Sequence, residues 1–93
     1  SSEKYDVVMS LAIHDGIIKS GIREEEFVDT VLSMVRDDGY FFFESHDLSW
    51  DQLRYRRMCE MIKCKELEVV REKEYLSDVN RRITVFKRSK RRR

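Results

Sequence analysis

The chain holds two histidines, and each stands directly before an aspartate, in His14-Asp15 and His46-Asp47. An imidazole titrates near neutral pH, so it can take a proton from an attacking nucleophile. Both histidines follow an apolar run, "YDVVMSLAI" in one case and "YFFFES" in the other. Two roles are open for them: loop residues with ordinary hydrogen bonds, or groups that face a substrate. A metal held by the pair with Asp15 or Asp47 is a weak reading, because no helical or strand spacing links the two imidazoles, and no metal site is expected. The two cysteines, Cys59 and Cys64, are five residues apart. Five helical residues turn by about 500°, so these thiols point about 140° apart, which disfavours a disulfide or a shared metal. Free thiols and a reducing compartment are expected.

These groups need elements to position them. Tyr5 to Ile13 is a short apolar run rich in Val and Ile, as in a strand buried on both faces of a parallel sheet. His14 to Arg23 reads as a loop with two glycines, its Ile17-Ile18 pair tucked down or turned. Glu24 to Gly39 reads as a helix, with Phe27, Val31, Met34 and Val35 on one face. Three glutamates open that helix and Gly39 stops it. Tyr40 to Glu44 is a second buried strand, and Ser45 to Leu48 a loop. Ser49 and Gln52 form a capping-box pattern, and Trp50, Leu53, Met58 and Met61 follow one helical face to Lys63. Glu66 to Glu72 is strand-like, Glu74 to Asn80 a connection, and Arg81 to Arg88 an alternating strand. The first two strands, joined through a helix, make a right-handed βαβ unit. The short link between the last two leaves no room for a parallel return, so they pair antiparallel.

In open α/β sheets ligands bind beyond the carboxyl ends of the strands. Two such ends fall here, one at Ser10 to Asp15 and one at Glu44, Ser45 and His46. Phe41 to Phe43 is core or a stacking platform for bases, and Trp50 is core or a pocket wall. Arg54 to Met58 is a basic patch, either solvated or touching phosphate.

The 93 residues allow one domain, and a 41% apolar fraction with ten aromatic residues argues for globular order. No apolar run nears the roughly 20 residues of a membrane helix. No secretory signal pattern opens the chain, so a soluble, intracellular protein without membrane contact is expected. The last seven residues, "KRSKRRR", carry six positive charges against a total of +1. Residues 88–93 are expected to form a disordered basic tail. Such a run fits a solvated end, salt-dependent phosphate contact or a nuclear localisation signal.

The motifs in series resemble the C-terminal half, residues 1–87, of a class I S-adenosylmethionine-dependent methyltransferase. "YDVVMSLAIH" is similar to that family's fourth strand, "VRDDGYFFFE" to the turn into the fifth, and "LEVVREKEYLSDVNRRITVFKR" to the closing antiparallel pair. The resemblance implies an α/β fold, a partial Rossmann-like sheet in the order strand-helix-strand-helix-strand-strand. It also implies that Ser10 and Leu11 lie near the methionine part of the cofactor, that His14 faces methyl transfer, and that Asp15, Glu44, His46 and Trp50 lie on the substrate side. The family's first strand and glycine-rich loop have no counterpart among Gly16, Gly21 and Gly39. The expected chain is therefore part of a methyltransferase, using S-adenosylmethionine only with its missing N-terminal half. A self-paired copy is the other expected partner, and RNA or another phosphate-bearing molecule the expected substrate. The alternative is a non-catalytic module that binds a protein through an exposed strand edge or nucleic acid through its tail.

Overall fold

The computed structural model describes residues 3–89. Along the chain run β1 (Tyr5–Leu11), α1 (His14–Lys19), α2 (Glu24–Ser33), β2 (Val35–Glu44), α3 (Leu48–Lys63), β3 (Leu67–Leu76) and β4 (Asn80–Arg88). The four strands form one sheet in the order β1-β2-β4-β3. β1 and β2 are parallel, and β4 lies antiparallel between β2 and β3, as the short closing link requires. The closing turn is tighter than expected. β3 runs on to Leu76, so Ser77 to Val79 alone make the turn, with Ser77 N–H donating to the Val79 carbonyl at 3.1 Å.

One sheet face is covered. Phe41, Phe43 and Phe86 meet Phe27, Val28, Val31 and Leu32 of α2 and Tyr55, Met58, Cys59 and Ile62 of α3 in a single core. Phe43 and Tyr55 stack with centroids 4.6 Å apart. The Tyr55 hydroxyl donates to the Phe43 carbonyl and lies 2.9 Å from Thr84 Oγ1, so its polar tip is satisfied in the interior. Arg57 clamps α3 to α2 through both oxygens of Glu24, at 2.8 and 2.6 Å. Both cysteines are free, Cys59 buried and Cys64 exposed.

No helix among the described residues covers the opposite face, whose β1 residues are exposed and whose β2 and β4 residues are mostly half-buried. Val7, Met9 and Leu11 lie beside Tyr40, Phe42 and Glu44 of β2, which lie beside Lys87, Val85 and Ile83 of β4. Val7, Met9 and Leu11 are each about half exposed. Thus β1, read as buried on both faces, has one covered face and one open face, and its outer edge carries no strand among the described residues.

Several elements depart from expectation for identifiable reasons. His14 to Lys19 is a helix, not a loop, held by tertiary contacts described below. α2 ends at Ser33 rather than Gly39, because Tyr5 N–H captures the Met34 carbonyl at 2.7 Å and starts the β1–β2 ladder. The residues Arg36 to Gly39 then bulge from the ladder, with Asp38 at φ 64°. Gly39 is obligatory there: a Cβ would stand 2.7 Å from the Arg36 carbonyl and 3.0 Å from that of Asp6. The cap of α3 is Asp47, whose carboxylate accepts from Ser49 N–H at 2.9 Å, not a Ser49–Gln52 box. Trp50 and Leu53 are exposed, and the buried stripe is Asp51, Tyr55, Met58, Cys59 and Ile62. Lys87 and Arg88 belong to β4, and Arg88 donates to the Leu32 carbonyl at 2.7 Å, so the strand reaches into the expected tail. The tail's remaining basic residues lie outside the described residues.

Candidate active site

The carboxyl ends of β1 and β2 lie side by side, since Leu11 pairs with Glu44. The chain leaves β1 through Ala12, at φ 55°, and enters α1. It leaves β2 through Ser45, whose N–H donates to the Arg82 carbonyl and whose hydroxyl accepts from Arg82 N–H, each at 2.8 Å. Those two bonds lock the start of the loop that carries His46.

A polar cluster joins the two ends to α3. Asp51, fully buried, accepts from His14 Nε2 at 2.9 Å, from the backbone N–H of His46 at 2.9 Å and from Arg54 Nε at 3.0 Å. Arg54 reaches on to Asp15 at 2.8 Å, and Lys19 approaches the other oxygen of Asp15 at 3.2 Å. Burial pushes the Asp51 carboxyl up, but its donors outweigh that and hold it below the usual carboxylate range. The Arg54 bond holds Asp15 low as well. Asp51 is therefore a carboxylate, and the His14 Nε2 facing it carries a proton. That leaves Nδ1 as the free nitrogen of a fully buried ring, and it has no hydrogen-bond partner.

The second imidazole sits in the opposite sense. His46 Nε2 accepts from Asp15 N–H at 3.1 Å, so it is unprotonated there. Its ring meets His14 edge-on with centroids 4.4 Å apart and stacks on Trp50 at 5.3 Å. The Arg54 guanidinium lies 5.7 Å from the Trp50 ring. Burial and the neighbouring His14 lower the pKa of His46, against the pull of Asp51 and Asp15.

Of the residues expected at the site, His14, Asp15, His46 and Trp50 come together. Ser10 and Leu11 do not, because consecutive strand residues point to opposite faces. Ser10 lies sealed on the covered face with an unpartnered hydroxyl, whereas Leu11 lies on the bare face, as does Glu44. His14 is enclosed rather than presented to solvent. Of the centre of the cluster, Asp51 was not read as a site residue, and Arg54 was read only as part of a basic patch, solvated or touching phosphate. Their signal was an acid on the stripe 51, 55, 58, 62 with an arginine three residues on, a spacing suited to an ion pair.

A sealed hydroxyl and one exposed leucine do not make a cofactor cradle, so the described residues by themselves do not fit S-adenosylmethionine. Among them, no three His, Cys, Asp or Glu side chains are grouped to hold a metal ion. No helix among them is long and apolar enough to cross a membrane.

No family model matches the sequence, and no curated protein is similar to it. Solved structures share the fold. The N-methyltransferase NodS from Bradyrhizobium japonicum WM9 superposes with a TM-score of 0.67 and 13% identity, over 97% of this chain and 54% of NodS. A methyltransferase from Pyrococcus furiosus superposes with a TM-score of 0.67 and 12% identity, over 96% of this chain and 43% of that one. The chain thus has the architecture of part of a methyltransferase fold and spans about half the length of these structures.

Proposed function

We propose that this chain is the substrate-side half of an S-adenosylmethionine-dependent methyltransferase, completed by a second segment that carries the cofactor cradle. The observation behind this reading is a strand bare on one face and on one edge. The apolar Val7, Met9 and Leu11 of β1 demand a neighbour, and the similar solved structures have about as much chain again. The cofactor supplies the methyl group. On this side, His46, Asp15 and Trp50 line the approach, and Glu44 ends β2 on the opposite face of the sheet. His14 is the proton acceptor through Nδ1, because Asp51 occupies Nε2. A phosphate-bearing substrate such as RNA is favoured by the basic run that ends the sequence.

Mixing the chain with the matching N-terminal segment and titrating S-adenosylmethionine by calorimetry tests the proposal. Saturable heat from the pair and none from the chain alone is expected, and a mixture that binds nothing sinks the proposal. Light scattering separates the rival reading, a self-paired dimer along the β1 edge, by a mass that doubles with concentration in the absence of any second segment. Truncation after Ser89 spares β4, so an unchanged RNA affinity in that variant would rule out a role for the tail.

A further inference from the structure

α1 is a short helix with weak internal support. It has six residues, below the length at which an isolated helix is stable. Its N-cap is Ile13, which has no side-chain oxygen to offer the first turn. Ala12, at φ 55°, and Gly21, at φ 111°, bracket it, so both joints stand in the left-handed region. The orphan amide that a cap would normally satisfy belongs to Asp15, and it is satisfied instead by His46 Nε2 from the β2–α3 loop. His46 is a cap supplied from another element. The imidazole that opens α1, His14, is fully buried and bonded through Nε2 to Asp51 of α3.

We infer that α1 is a proton-operated lid: a neutral His46 caps its first turn and keeps His14, the first residue of that turn, enclosed, and protonation of His46 releases it. An imidazolium has a proton on both nitrogens, so Nε2 cannot accept from Asp15 N–H, and two donors face each other. The sign follows from the surroundings of His46. From α1 it is faced by His14 and Asp15, the latter held by Lys19, and from α3 by Asp51 and Arg54, with Glu44 and Asp47 beside it in sequence. The buried Asp51 and the part-buried Asp15 attract a proton to His46, and burial, His14 and Arg54 repel it more. Its pKa in the closed state is below the ordinary 6.5, so the closed state is fully favoured above that value and loses ground as pH falls beneath it. Asp15 and Asp51 are held low and keep their charge through this window. The lid is a property of this chain, and its use, to free His14 from its enclosed position, rests on the methyltransferase reading.

Native-state hydrogen exchange on the full chain tests the lid with no cofactor present, so its outcome is independent of that reading. After correction for intrinsic rates, protection of the Asp15 to Ile18 amides should fall about tenfold from about pH 8 to about pH 5, while β2 and β4 keep theirs. In His46→Gln the amide oxygen still caps but does not titrate, so protection of α1 should be independent of pH. In His46→Ala it should be low throughout. A wild-type α1 with flat protection overturns the inference, as does loss of α1 and strand protection together. So does a pH dependence that survives in His46→Gln.

Discussion

At the scale of residues the centre of this protein is Asp51, a buried carboxylate with three donors. Removing one member of such a group leaves the others buried and unpaired. Asp51→Ala should therefore destabilise the chain by about 3–5 kcal/mol in urea unfolding, against less than about 0.5 kcal/mol for the exposed Glu60→Ala. Asp51 also sets an acid limit. Its folded pKa is below the ordinary 3.8, so its contribution is complete above that value and is lost as pH falls through the lower folded value. Acid unfolding followed by circular dichroism should be shallower in Asp51→Asn than in wild type. The cysteines differ for the same electrostatic reason. Burial pushes the Cys59 thiol up to about 12, whereas Cys64 is exposed. A thiol reagent should label Cys64 at once and Cys59 only on unfolding.

At the scale of elements, α1 and α3 carry the predictions. Ala12 holds a left-handed backbone without being glycine. Replacing it with glycine relieves that conformation, and thermal melting should show Ala12→Gly stabilised by about 1 kcal/mol. A gain absent from the melt would mean that α1 meets β1 through another geometry. In α3 the two apolar stripes compete on paper, and burial separates them. Met58→Ala should cost about 2–5 kcal/mol, while Leu53→Ala, at 76% exposure, should cost almost nothing. Periodicity failed on this helix because its inward stripe opens on a carboxylate, which hydropathy places outside.

At the scale of the molecule, the two outer strands differ, each with one edge unpaired among the described residues. β3 is studded with Glu68, Arg71, Glu72, Lys73 and Glu74, which protect an exposed edge from pairing. β1 has a single charge, Asp6, among apolar residues, and it continues into the bare face. The rival self-paired reading predicts that sedimentation shows the chain associating with rising concentration. Met9→Lys with Val85→Lys, both on that face, should return it to a monomer without loss of helical signal, because neither side chain enters the core. Retained association in that double variant would place the contact elsewhere.

The strands, the helices α2 and α3, and the antiparallel closing pair were legible in the sequence because apolar period and link length dictate them locally. So was the meeting of His14 and His46 at neighbouring strand ends, once two parallel strands were read. Three things were decided only by the tertiary structure. α1 is helical because His46, Asp51 and Arg54 hold it from elsewhere in the chain. Asp51 lies inside because its charge is met by partners up to 37 residues away in sequence. His14 is sealed because Asp51 of α3 binds its Nε2 and Phe43, His46 and Tyr55 surround its ring. Each depends on long-range polar contacts, which leave no periodic trace in a sequence, whereas burial of apolar surface does.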